Sequence, residues 1–141
     1  MSKTSDFPAV GKILSRDDAF VVFNPLNTNY ELKLSVANYA GLVGGRVEGF
    51  ISVSARKIYT VPSGGNFIAP IFGPPRIIQG RVKYLDEREM VIQASTSIIV
   101  QLPVDQDAFD LANGDLMVGS LANVVALPGA KFELAAVAAV R

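Results

Sequence analysis

Apolar and polar side chains alternate with a period of two in the clearest parts of this chain. In residues 30–36 every even position is apolar and every odd position is polar. Because successive side chains of a β-strand point to opposite faces, this pattern places one set in a core and the other in water. Four more segments rich in Val, Ile and aromatic residues, bounded by Gly, Pro or charged clusters, also indicate strands: 47–53, 77–85, 91–94 and 98–102.

Helical signals are few. Residues 105–113, closed by Gly114, fit one short helix with Phe109 and Leu111 turned inward, whereas residues 132–140 fit a strand or a helix equally well. A chain of 141 residues has the size of one domain. We therefore predict a single all-β domain over residues 1–141. The predicted core residues are Leu32, Leu34, Val47, Val82, Val91, Ile98 and Val100.

The many short strands suggest a small closed or partly closed β-barrel of the OB-like (oligonucleotide/oligosaccharide-binding) type, with a β-sandwich as the second choice. A tripeptide of glycine, a basic residue and an aliphatic residue begins at Gly11, Gly45 and Gly80. The first and third copies lead into charged turns at 15–18 and 86–89 and then into a second apolar run. Two similar hairpins in one barrel or sandwich explain this better than a solenoid.

The irregular segment 61–76 concentrates both proline and hydrophobic residues. Proline cannot donate a hydrogen bond to a sheet, so we expect an exposed excursion from the barrel. Apolar side chains on such a loop are tucked under it, paired with a second copy of the chain, or presented to a ligand. The first functional prediction is therefore a non-enzymatic, self-associating structural or assembly component, a homo-oligomer with contacts through Phe67, Ile68, Ile71 and Phe72.

Charge suggests a second function. The chain has 13 basic and 13 acidic residues, so no global field attracts nucleic acid or an anionic membrane. Within residues 46–83, however, cations are interleaved with aromatic residues and Glu48 is the single acid. This combination suits single-stranded nucleic acid or another ligand. The alternative prediction is a binding module that uses Arg46, Arg56, Lys57, Tyr59, Arg76, Arg81 and Lys83.

Composition removes most catalytic chemistry. The chain has no Cys and no His, so it lacks disulfides, thiol nucleophiles and the commonest metal ligands and general bases. We predict no catalytic residues, no metal and no cofactor, which leaves an enzyme without a candidate site. The polar first residues and a longest apolar stretch of only residues 134–140 predict a cytoplasmic protein without a membrane span.

Overall fold

The computed structural model describes residues 3–37 and 39–135, and the prediction of an all-β fold is confirmed there. Two 3₁₀ turns, Thr4–Asp6 and Gln106–Ala108, are its helical elements within the described residues. The twelve strands are β1 Ala9–Arg16, β2 Phe20–Pro25, β3 Glu31–Ser35, β4 Arg46–Thr60, β5 Phe67–Ala69, β6 Phe72–Gly73, β7 Ile77–Leu85, β8 Glu89–Gln93, β9 Ser97–Gln101, β10 Phe109–Asp110, β11 Leu121–Ala126 and β12 Lys131–Leu134.

The short helix expected at 105–113 is wrong. Asp105 caps a single 3₁₀ turn, and the chain then becomes extended in β10, beside β4. Its predicted inward residue Leu111 is exposed. Of the ambiguous segment 132–140, the first three residues belong to β12, and residues 136–140 lie outside the described part of the chain.

Hydrogen-bonded strand pairs close two five-stranded rings that share β4. The first ring runs β1-β2-β3-β12-β4 and returns to β1, with β12 and β3 joined by a short parallel contact. The second runs β7-β8-β9-β4-β11 and returns to β7. All twelve strands form one sheet, so two separate packed sheets do not describe this fold. The partly closed architecture thus contains two rings, where the sequence suggested a single barrel.

The core follows from the alternation of apolar residues along the strands. All seven predicted core residues are buried. β4 alternates buried and outward positions on either side of a one-residue shift at Arg56, and it places Val47, Ile51 and Ile58 among the buried side chains of both rings. A single buried cluster therefore extends along β4.

The two predicted hairpins, β1–β2 and β7–β8, share their construction. A β-bulge interrupts the first strand at the same place, after Ile13 in one and after Val82 in the other. Each turn then begins with an aspartate, Asp17 or Asp86, whose Oδ1 accepts two backbone N–H groups at 2.8–2.9 Å. The tripeptide repeat in the sequence marks these matching hairpins.

The correspondence extends beyond the hairpins. The N–H of Gly44 donates to Ile13 O at 2.7 Å, and the N–H of Gly119 donates to Val82 O at 2.8 Å. β4 and β11 begin just after these glycines and pair antiparallel with β1 and β7, respectively. Each half of the chain is thus a unit of three antiparallel strands followed by a fourth strand that returns beside the first.

The close approach of paired strands at Gly80 gives a stability prediction. A Cβ at Gly80 would overlap the backbone of Gln93 and Ala94. We expect Gly80→Ala to lower the free energy of unfolding by about 2 kcal/mol, because overpacking against backbone forces the strands apart. Chemical denaturation measures it, with Gly65→Ala as the control because open space surrounds that position. Equal midpoints for the two variants would contradict the prediction.

The hairpin aspartates give a pH prediction. Two backbone N–H groups lower the pKa of Asp17 below its ordinary 3.8, and the Tyr84 hydroxyl, followed by backbone N–H groups, lowers the pKa of Asp86. A lowered folded-state pKa adds stability above the ordinary pKa, and this is lost as the pH falls through the folded value. Asp17→Ala and Asp86→Ala should therefore lower Tm at pH 7, and their difference from wild type should shrink toward pH 3.

Asp18→Ala is the control for this prediction. Asp18 is an exposed carboxylate in the same turn as Asp17, and the turn hydrogen bonds are made by its neighbour. A difference in Tm between Asp17→Ala and wild type that is the same at pH 7 and pH 3 would show that the carboxylate charge does not stabilise the turn.

Candidate binding surfaces

One outward face of the sheet brings two aromatic residues into line. Strands β5, β7, β11, β4 and β10 lie side by side in that order. One row of directly paired residues, one from each strand, crosses all five strands and faces outward. The residues next to them along each strand face the opposite side and pack into the core. We name the outward row the aromatic row; it consists of Phe67, Gln79, Asn123, Tyr59 and Asp110.

Two amide side chains connect the aromatic residues of this row. Asn123 Nδ2 donates to Gln79 Oε1 at 3.0 Å, and Gln79 Nε2 donates to Gly65 O at 2.9 Å. Phe67 and Tyr59 stand three strand spacings apart, roughly 14 Å. The row is therefore a polar floor with a flat ring near each end.

Cations lie beside the Tyr59 end of the row. Lys57 Nζ stands 5.0 Å from the centre of the Tyr59 ring. The next register row across the same face runs from Lys57 through Val125 and Ile77 to Ala69. Apart from its lysine, this second row is apolar, and its three apolar residues line a groove.

The groove holds two arginines. It has a volume of about 780 Å³, and we name it the arginine groove; its lining is Arg56, Ala69, Pro70, Arg76, Ile77, Val125, Ala126, Leu127 and Pro128. No acidic residue is among the described residues that line it. A guanidinium stays charged at all working pH values and binds carboxylate or phosphate with two parallel hydrogen bonds. The groove therefore suits an anionic group attached to an apolar or flat body.

Local backbone structure fixes both arginines. Arg56 lies at a bulge of β4, where the register with β11 shifts between Lys57 and Ala55. Bulges often redirect a side chain at a binding site. Arg76 is fixed on both sides: its N–H donates to Ala69 O at 2.8 Å, and its carbonyl accepts from the Ala126 N–H at 2.8 Å.

The seven cationic and aromatic residues predicted to bind a ligand do not all lie on one surface. Arg56, Lys57, Tyr59 and Arg76 come together on this face. Arg81 lies two residues beyond Gln79 on β7, and its Nη1 donates to Gly119 O at 3.2 Å. Arg81 is thus at the margin of the face.

Arg46 and Lys83 lie apart from the other five. Lys83 is the extra residue of the β7 bulge, near the hairpin turn. Arg46 begins β4, ten residues before Arg56 or roughly 33 Å of strand, and it pairs with Lys12 in the first ring. The single surface predicted over residues 46–83 is therefore wrong at both ends.

Sequence reasoning missed the amides of the aromatic row and gave Phe67 a different role. Gln79 and Asn123 are 44 positions apart and meet because β7 pairs with β11. The alternation in 77–85 already places Gln79 on the outward side with Arg81. The missing information was the register between strands.

The four residues predicted for self-association also differ in their exposure. Ile68 is wrong as a surface residue, because it is only 2% exposed and belongs to the core. Phe67 is half-buried in the aromatic row. Ile71 and Phe72 are 54% and 64% exposed. Ile71 and Phe72 are therefore the two residues of this set that remain as candidates for self-association.

Hydrogen bonds hold these two exposed residues in place. The Ile68 N–H donates to the Tyr30 hydroxyl at 3.1 Å, and the Glu31 N–H donates to Ile71 O at 2.9 Å. Phe72 lies in β6, which pairs with β3. The segment thus presents its apolar side chains from a fixed backbone.

Three further findings complete the description of these surfaces. Within residues 3–37 and 39–135, no helix is long and apolar enough to cross a membrane. The same residues contain no group of three or more acidic side chains arranged to hold a metal ion. Comparisons of the chain with protein-family models, with curated proteins and with solved structures find no match.

Proposed function

We propose that the protein is a non-enzymatic binding module that holds single-stranded nucleic acid across the aromatic row and the arginine groove. The observation that carries this proposal is the convergence, on one face, of Tyr59 and Phe67 with Arg56, Lys57 and Arg76. Flat rings stack bases of any sequence, and neighbouring cations hold the phosphates. We place this activity in the cytoplasm.

The charges indicate how a bound nucleic-acid strand is oriented on this face. Asp110 follows Tyr59 in the aromatic row and repels phosphate at the β10 end. Arg56 and Arg76 lie in the groove beside the row, which has no acidic residue among its described lining. Bases stacked on Tyr59 and Phe67 would therefore direct their phosphates toward the arginine groove, with Gln79 and Asn123 below the bases.

The architecture of the second ring agrees with this role. OB-like barrels are five-stranded and bind oligonucleotides on a sheet face and its adjoining loops. The second ring has five strands, and its β4 and β11 carry Tyr59 and Asn123. In this proposal the second ring binds its ligand in the way that OB-like barrels do.

Binding of a fluorescein-labelled oligothymidine of twelve nucleotides, followed by fluorescence anisotropy, tests the proposal. Tyr59→Ser and Phe67→Ser should each weaken binding about tenfold, because stacking contributes roughly 1–3 kcal/mol per base. Three phosphate contacts predict a slope of about −2 in log K against log salt.

The first ring offers a matched control. Lys33 Nζ stands 4.5 Å from the centre of the Phe20 ring, so this lysine–aromatic pair resembles Lys57 and Tyr59 but lies away from the groove. Phe20→Ser should leave oligothymidine affinity unchanged. Equal losses from Phe20→Ser and Tyr59→Ser, or wild-type protein that does not bind, would refute the proposal.

A second candidate function is self-association through Ile71 and Phe72. The specific observation is that both side chains project from a backbone already held by β3. A prearranged contact loses little conformational entropy when it binds. In this proposal the partner is a second copy of the chain, and the protein is an assembly component.

Sedimentation velocity at tens of micromolar protein tests self-association. Replacing both Ile71 and Phe72 with Ser should reduce the sedimenting mass to that of a monomer, since interface aromatics contribute roughly 2 kcal/mol or more when they are hot spots. Val104→Ser is the control, because Val104 is 98% exposed elsewhere on the surface. Wild-type protein that sediments as a monomer would exclude this function.

A further inference from the structure

We infer that the first ring carries a separate oxyanion site, at Lys12 and Arg46. The two residues lie directly opposite each other on the antiparallel strands β1 and β4. Both side chains are exposed. Directly opposed residues of an antiparallel pair have Cβ atoms only about 5 Å apart, so two like charges there destabilise the pair. A bound anion would remove that repulsion.

The two cations share a hollow. Its volume is about 380 Å³, and its polar side chains come from Lys12, Arg46, Asn24 and Asn27, with Gly11 and Gly44 in its wall. No acidic residue is among the described residues that line this hollow. The space accommodates a phosphate or sulfate group with water.

Glu48 is the acid closest to the pair along β4. It opposes Val10, two positions along the strand from Arg46, and so lies diagonally from Lys12. One carboxylate at that diagonal distance neutralises at most one of the two cations. The pair retains a net positive charge that an oxyanion would complement.

The second half of the chain shows that the fold does not need this pair. The corresponding positions are Arg81 on β7 and Leu121 on β11, which also lie opposite each other. The single cation there donates to a backbone carbonyl, that of Gly119. The same strand pairing is therefore built without a second charge, and the Lys12–Arg46 pair has a use beyond folding.

The ligand class is a phosphate-type oxyanion, either free inorganic phosphate or a terminal phosphate ester. Both sources present the same tetrahedral group to an ammonium and a guanidinium. The inference does not depend on nucleic-acid binding at the aromatic row, because the two surfaces are served by opposite ends of β4.

Thermal unfolding in about 10 mM sodium phosphate, compared with sodium chloride of equal ionic strength, tests the site, because general stabilisation by excluded phosphate is small in dilute solution. Wild-type Tm should rise by about 3 °C or more in phosphate relative to chloride, since a ligand of the folded state stabilises it. Lys12→Thr and Arg46→Thr should abolish this difference. In chloride at low ionic strength each variant should also unfold at a higher temperature than wild type, because the repulsion is gone.

Two control variants refine the test. Lys131→Thr removes an exposed strand cation elsewhere, on β12, and should keep the full phosphate response. Glu48→Gln removes the nearby carboxylate and should increase the response. A phosphate response that survives in Lys12→Thr and Arg46→Thr, or is absent from wild type, would overturn the inference.

Two further arms separate the ligand sources and the two surfaces. A 5′-phosphorylated trinucleotide that stabilises wild type more than both its unphosphorylated form and inorganic phosphate indicates a phosphate ester. A response to inorganic phosphate at least as large indicates the free ion. Tyr59→Ser should leave unchanged the response to inorganic phosphate and the difference between the phosphorylated and unphosphorylated trinucleotides, so failure of oligothymidine binding and failure of this site are distinguishable. Loss of the phosphate response in Tyr59→Ser would contradict a separate site.

Discussion

The rest of this structure depends on β4, because both rings share this strand and both of its edges must form hydrogen bonds. β4 pairs with β1 and β12 over its first part and with β9, β11 and β10 over the remainder. Unpaired backbone groups are costly when buried, and every residue of this strand except the bulged Arg56 has a partner on a neighbouring strand. Its alternation of buried and outward residues, shifted once by the bulge at Arg56, is the sequence feature that meets this constraint.

The shared strand also explains where the candidate sites lie. Outward-facing positions along β4 alternate with core positions, so its two ends expose different side chains on different rings. Arg46 meets Lys12 at one end, and Tyr59 meets Asn123 at the other. The two halves share a similar frame of strands, and different outward residues make their surfaces chemically distinct.

Much of the fold was predictable because it depends on local periodicity and composition. Apolar patterning identified β3, β4, β7, β8 and β9 and all seven core residues, and the repeated glycine tripeptide identified two alike hairpins. It did not identify β5 and β6, which lie in the segment 61–76 expected to be irregular. The surfaces were less predictable because they depend on which strands pair and in what register. Ile68 and Ile71 look alike in sequence, yet the pairing of β5 with β7 places Ile68 in the core. Arg46 and Arg56 likewise belong to one cationic segment of the sequence, but the length of β4 places them on different rings.

The first ring is completed by a strand from the second half of the chain, and this affects folding during synthesis. The first ring contains β1 to β4 but is completed by β12, which is among the last residues described. Until residues 131–134 are synthesised, the edges of β3 and β4 that β12 will cover have no strand to pair with. Such distant pairings fold slowly and leave strand edges open to aggregation. We expect the nascent first half to depend on chaperones or on rapid completion of the chain.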